Sequence, residues 1–211
     1  MPTSFHELAV DFDGDGRRDI WSDDPTDALA SAANFLRARG WVQGQPWGTE
    51  VRLPDGFDYA LAERSDRRLP SDWARLGVTD PAGRAVPNYG QAGLWLPAGH
   101  AGPAFLVFDN FGVIRRYNPS DAYALAVGTL SDRIAGAGPL TAPWPDETRA
   151  LSRDDRRELQ RRLTAMGFDT RGIDGRIGPA TRAALRAFQQ AQGLVPDGHA
   201  SRAMLNRLRA M

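Results

Sequence analysis

Cysteine is absent from the 211-residue chain, which removes disulfides, zinc–thiolate sites and thiol catalysis and leaves the redox compartment open. Lysine is absent as well, so all 26 cationic residues are arginine. No apolar run approaches the ~20 residues that cross a bilayer. The first residues lack the basic-then-apolar pattern of an export signal, so the sequence carries no membrane span and no export address of its own. The three histidines, His6, His100 and His199, are scattered without metal-ligand spacing and are expected in loops or at the surface. There is no G-x-S-x-G and no phosphate-cradling glycine loop. What remains is 42% hydrophobic and 25% charged, which reads as an ordinary soluble globular protein.

The net charge of zero hides a division. Residues 151–211 hold 12 Arg against 6 acids, and residues 1–150 hold 14 Arg against 20 acids. A basic tail of +6 and an acidic body of −6 predict at least two units with different roles. The tail suits an anionic polymer such as cell wall or nucleic acid; a solvated arginine-rich surface explains the same charge.

The boundary falls in "GAGPLTAPWPDETRA", where Gly136, Gly138, Pro139, Pro143 and Pro145 forbid regular structure and predict a semi-rigid tether. Beyond it, three short helices are expected. Ser152 and Asp155 form a start pattern, and Leu159, Leu163 and Met166 make one apolar stripe that Gly167 ends. Pro179 opens the second, with Leu185 and Phe188 inward; Ser201 caps the third, with Met204, Leu205 and Leu208 inside. Asp174-Gly175 and Asp197-Gly198 precede helices two and three as a weak internal repeat. Before the tether, residues 25–40 read as a helix with Leu29, Ala32, Ala33 and Leu36 on its inner face, and residues 120–136 as a second long helix capped by Ser120. "EVRLP" and the two halves of "QAGLWLPAGHAGPAFLVFD" read as strands.

One motif carries chemistry directly. In "DFDGDGRRDIWSDDPTD", Asp11, Asp13 and Asp15 alternate and Gly16 follows. Alternation brings three carboxylates to the inside of a tight loop, the carbonyl of Arg17 points inward, and a hard divalent cation wants six to eight such oxygens. A solvated turn is the other reading. The twelfth position, where an EF-hand supplies a bidentate Glu, is Ser22, so a metal loop must close later; Asp27, at the start of a helix, is the best candidate, although Asp there is also a common cap.

Two longer stretches carry a resemblance. "MPTSFHELAVDFDGDGRRDIW", the following "DALASAANFLRARGW" and "NFGVIRRYNPSDAYALAVGTLSDRI" resemble the lytic murein transglycosylase B family, and "LQRRLTAMGFDTRGIDGRIGPATRAALRAFQQAQGLVPDG" resembles the three-helix peptidoglycan-binding module attached to such enzymes. The resemblance implies an α+β fold: a partial lysozyme-like lobe with a small β-containing insertion at 1–136, a Pro/Gly linker at 137–150, and a small all-α domain at 151–211. It implies a structural Ca²⁺ held by Asp11, Asp13, Asp15, the Arg17 carbonyl and Asp27, with the Trp21-to-Asp27 spacing longer than the family's.

The activity it implies is cleavage of the bond between N-acetylmuramic acid and N-acetylglucosamine without water. One Glu protonates the bridging oxygen, then accepts the proton of the muramoyl 6-hydroxyl as it closes on C1 to give the 1,6-anhydro sugar. A single carboxylate suffices because the nucleophile is intramolecular. The family's catalytic Glu lies in a Glu-Ser motif upstream of the segment that resembles "MPTSF", so none of Glu7, Glu50, Glu63, Glu147 and Glu158 matches it. Glu7, Glu50 and Glu63 read as solvated surface residues. Tyr117, Asn118 and Tyr123 are expected to line the saccharide groove by resemblance; core packing for Tyr123 and a capping turn for Asn118 explain them without a ligand. In the helical module, Asp174, Gly178 and Thr181 are candidates for contact with glycan or stem peptide, or else turn and cap residues. Trp41 and Trp47 are the tryptophans expected nearest a ligand, with a core role as the alternative. The resulting expectations are a monomer in the cell envelope or periplasm, partnered by peptidoglycan strands and not by nucleic acid. Two functions stand: an enzyme of which this chain is the non-catalytic C-terminal part, and a plain wall-binding protein.

Overall fold

Local signals in the last third of the chain fold as they read. Helices α6 (Arg153–Ala165), α7 (Pro179–Ala191) and α8 (Arg202–Arg209) enclose a core of Leu151, Leu159, Leu163, Ala184, Leu185, Phe188, Leu205 and Leu208. The α6 start is a reciprocal capping box: the Ser152 hydroxyl accepts the Asp155 amide at 3.1 Å, and the Asp155 carboxylate accepts the Ser152 amide at 2.9 Å. Pro179 sits in the first turn of α7, and the Ser201 hydroxyl accepts the Met204 amide at 3.0 Å to begin α8. Met166 departs from the expected stripe: it lies at the helix end and is 37% exposed.

The two Asp-Gly turns form a structural repeat. Buried Gln160 donates its amide to Asp174 Oδ1 at 3.1 Å and accepts the Gly175 N–H at 2.8 Å. Buried Gln189 donates to Asp197 Oδ1 at 2.8 Å and accepts the Gly198 N–H at 2.8 Å. Each turn is thus held by the glutamine of the preceding helix, with the same two bonds.

The computed structural model describes residues 2–145 and 150–211; the linker residues 146–149, Glu147 among them, lie outside the described residues. Packing gathers the chain into two compact units, 1–48 with 107–138, and 49–106 with 139–211. The first unit holds α1 (Pro2–Leu8), α2 (Thr26–Ala38), α4 (Asp109–Tyr117) and α5 (Asp121–Ile134). Ser120 caps α5 as expected, accepting the Tyr123 amide at 3.3 Å. Trp47 is a core anchor, 4% exposed, and its indole N–H donates to Asp132 at 2.7 Å, so it faces no ligand; Trp41 is 37% exposed. Burial pushes the Asp132 carboxyl up, and the Trp47 N–H opposes that rise.

Most of the expected inner face of α2 is open, although Leu36 is half-buried. Leu29 is 66% exposed, and Ala32 and Ala33 are exposed with it. The polar side of α2 is engaged: the Ser31 hydroxyl accepts the Val10 amide at 3.0 Å, Asn34 donates to the Leu8 carbonyl at 2.8 Å, and Asp27 is buried.

The second unit carries a four-stranded sheet, order β1-β4-β3-β2, from β1 (Gly48–Val51), β2 (Arg67–Arg68), β3 (Ala92–Trp95) and β4 (Ala104–Val107). β2 and β3 are antiparallel, with Arg67 opposite Gly93. Trp73 of α3 (Pro70–Arg75) is fully buried and donates its indole N–H to the Ala92 carbonyl at 2.9 Å. Strands expected at β1, β3 and β4 form, and α1, α3, α4 and β2 stand beside them.

Candidate metal loop and saccharide-facing residues

The acidic loop folds around its own carboxylates. Asp11 accepts the amides of Gly14 at 2.7 Å and Gly16 at 2.9 Å; Asp13 accepts that of Asp15 at 3.1 Å; Asp15 accepts that of Arg17 at 2.8 Å. Gly14 and Gly16 take φ of 81° and 86°, the left-handed region that the tight turn requires. Carboxylate oxygens of Asp11, Asp13 and Asp15 come within 4.8 Å of one another, all three residues exposed. The consequence is electrostatic. The Asp15 amide lowers the Asp13 pKa, but desolvation and the negative fields of Asp15, Asp27 and Asp11 outweigh it, and the net shift is upward. Three like charges held this close favour any cation that joins them.

Asp27 stands apart from that group. It is 5% exposed and takes the Phe12 amide at 2.7 Å on one oxygen and the Asp19 amide at 3.0 Å on the other. Its carboxylate is therefore held by loop amides rather than by those of its own helix. It straps the loop to the start of α2. No bond of the Arg17 carbonyl marks its direction; the Arg17 amide is the group engaged, on Asp15.

Tyr117 and Tyr123 meet, with Asn118 next to Tyr117 in the chain. Tyr117 is 52% exposed and stacks on Tyr123, with ring centroids 6.0 Å apart and planes inclined by 19°. Phe35 meets Tyr117 edge-on at 5.5 Å, a third ring that sequence spacing left out because it comes from α2. Asn118 accepts the Ser120 amide at 3.0 Å on its side-chain oxygen, which leaves the amide NH₂ as a donor beside exposed Tyr117. An exposed ring with a neighbouring amide is chemistry that suits a sugar face.

In the helical module, Asp174 and Thr181 converge on Gln160, at 3.1 and 3.2 Å, while Gly178 serves as the residue before Pro179. Thr181 is 2% exposed and Asp174 is exposed. The Arg176 amide and the Gln160 donor bond hold the Asp174 carboxyl below its usual range.

Glu50 and Glu63 do not behave as solvated surface groups. Glu50 accepts the Thr141 amide and hydroxyl, both at 2.9 Å, and the Ala142 amide at 2.7 Å. Glu63 is flanked by Arg182 and Arg186; desolvation would raise its pKa, but the two guanidinium groups prevail and lower it. Bonds from Arg209 and Arg162 bring Glu158 down to about 2. Of the three read as solvated surface residues, Glu7 is the exposed one.

An α+β lobe with an acidic loop and an exposed tyrosine face, followed by a basic three-helix module, is the architecture to compare with known proteins. The chain belongs to the transglycosylase SLT domain family, which matches residues 1–132, and residues 152–208 match the peptidoglycan binding domain. SltB3 from Pseudomonas aeruginosa, solved with NAG-anhNAM-pentapeptide and with NAG-NAM-pentapeptide, is 54% identical; it superposes with TM-scores of 0.89 and 0.90 over 99% of this chain and 56% of that one. Membrane-bound lytic murein transglycosylase B of Escherichia coli (strain K12) is 37% identical over 143 residues, 64% of this chain and 36% of that protein. The chain thus spans about half or less of the length of these relatives. Among the described residues no helix is long and apolar enough to cross a membrane.

Proposed function

We propose that this chain binds peptidoglycan glycan strands in the cell envelope as a monomer, and that it is the wall-binding, non-catalytic portion of a transglycosylase that cuts MurNAc–GlcNAc bonds with formation of 1,6-anhydroMurNAc. The observation that carries the reading is the likeness over nearly the whole chain to SltB3, a protein crystallised with saccharide-peptides. The Tyr117–Tyr123 face with Asn118, and the Asp174 turn of the basic module, are the surfaces offered to the strand.

Charge chemistry supports the non-catalytic part. A single carboxyl that protonates a glycosidic oxygen needs a raised pKa. Glu63 and Glu158 are pushed down by arginines, and Glu50 is saturated with backbone and hydroxyl donors. Of the two raised carboxyls among the described residues, that of half-buried Asp132 accepts the Trp47 indole N–H, and that of Asp13 lies in the acidic loop. The test is sedimentation with purified sacculi alongside assay for anhydro-muropeptides. The chain is expected to pellet with sacculi and to release none. Release of anhydro products overturns the non-catalytic reading; failure to pellet, with salt-dependent DNA binding instead, overturns wall binding.

The acidic loop is assigned to Ca²⁺, with Asp11, Asp13 and Asp15 as side-chain ligands, the Arg17 carbonyl as a further one, and Asp27 closing the loop. Its role there is structural: the ion neutralises three carboxylates and fixes the segment between α1 and α2. Asp13→Asn is expected to weaken calorimetric Ca²⁺ affinity about tenfold or more, because affinity follows ligand charge. Ca²⁺ at a hundredfold its Kd should stabilise the lobe by about 2.7 kcal/mol. Equal affinity of Asp27→Ala and the unmutated chain would remove Asp27 from the site.

A further inference from the structure

The strand-bearing segment 49–106 packs in one compact unit with the helical module, although sequence places the linker 137–150 between the lobe and that module. Among the described residues polar contacts join them, with the acid on the strand side in one and on the module side in the other. On the strand side, Glu63 grips α7: its carboxylate takes Arg182 at 2.9 and 2.7 Å and Arg186 at 3.2 and 3.3 Å. Arg182 and Arg186 are four residues apart on a helix and so share one face. On the module side, Asp197 of the second Asp-Gly turn takes both the backbone amide of His100, at 2.9 Å, and its ring Nδ1, at 2.7 Å. The acids are well shielded, with side chains 19% and 5% exposed, so solvent screens these contacts less than ordinary surface pairs.

A third feature is steric. Gly99 is buried with φ of 73°, and a Cβ there would stand 2.7 Å from Asp197 Oδ2 and 3.0 Å from His199. The His100 loop can close on the turn because residue 99 has no side chain. The linker's first residues are strapped as well, through the bonds of Thr141 and Ala142 to Glu50 on β1. The two halves of the internal repeat therefore differ. The Asp174 turn spends its bonds inside the module, whereas the Asp197 turn reaches out to His100.

We propose that the C-terminal module is a docked arm and not a swinging one: Glu63 on Arg182 and Arg186, and Asp197 on His100 beside Gly99, lock its second Asp-Gly turn onto the strand-bearing segment and leave the first turn free for a ligand. A strand held by the module is then held at a fixed position relative to segment 49–106. Other titratable neighbours agree with a closed contact: burial pushes His199 down against the field of Asp197, and burial, with Asp197 second, pushes Tyr59 up beside His100.

Backbone ¹⁵N relaxation on the whole chain tests this without any wall ligand, so its outcome is separate from that of the sacculus assay. Residues 49–106 and 152–208 are expected to share one rotational correlation time. In Glu63→Ala/Gly99→Ala, both changes lying outside the module, the module's correlation time should fall about twofold as it turns on its linker. Glu63→Gln, which keeps the shape and removes the charge, should give a smaller shift in the same direction and stands in if the double variant does not fold. Two distinct correlation times in the unmutated chain, or a single one retained in the folded variants, overturn the proposal.

Discussion

Phe188→Ala is expected to unfold the helical module while the rest of the chain stays folded. Phe188 is fully buried on α7, and Phe168 meets its ring edge-on at 5.6 Å. Truncating a buried Phe costs about 3–5 kcal/mol, the sum of lost transfer energy and the cavity left behind. A unit of this size holds a total stability of roughly 0.05–0.15 kcal/mol per residue, hence on the order of 3–9 kcal/mol. The truncation consumes most or all of that. Gln160 and Gln189 hold turns only while the helices that carry them are packed, and the contacts of Glu63 with Arg182 and Arg186 anchor α7 from outside without filling the cavity. The measurement is loss of dispersed amide signals from α6, α7 and α8, with those of the sheet retained. A variant with a native-like module spectrum and melting within a few degrees of the parent would place the module's stability elsewhere than this core.

The same module explains why its elements were legible in sequence and much else was not. Its start signals act within one turn, so Ser152 with Asp155 and Ser201 with Met204 state their geometry in neighbouring residues. The acidic loop is legible for the same reason: alternation brings Asp11, Asp13 and Asp15 together without help from elsewhere. Sequence offers Asp27 as a closing residue but does not show its setting, since the amides it takes belong to Phe12 and Asp19. Periodicity marks Leu29, Ala32, Ala33 and Leu36 as a stripe on α2 and gives no information on what covers it; Leu29, Ala32 and Ala33 open to solvent and Leu36 is half-buried, while the polar side holds the loop. Phe35 escaped notice beside Tyr117 because an aromatic on a helix reads first as core. Least legible are Glu63 and His100. A carboxylate has no local signature of its partner, and Glu63 meets Arg182 across 119 residues of chain.

A sign reversal is expected in the lobe. Gly128 lies inside α5, and a Cβ there would stand 2.4 Å from the indole of Trp47. In a helix interior Gly→Ala ordinarily gains about 1 kcal/mol from reduced backbone entropy. Here the added methyl meets a rigid ring in a packed core, and overpacking costs about 1–3 kcal/mol, so Gly128→Ala should be net destabilising by up to about 2 kcal/mol. Trp47→Ala removes the ring and with it the indole N–H on Asp132, at a cost of about 3–5 kcal/mol. With the ring gone, the obstacle at residue 128 is gone too. Gly128→Ala introduced into Trp47→Ala should then stabilise, by something near the helix-propensity gain. The coupling between the two changes is read from a double-mutant cycle of chemical denaturation midpoints, and contact between the sites makes it large. Additive costs would mean that Trp47 does not rest on α5 at this glycine, and the packing described for the lobe would have to be redrawn around another anchor.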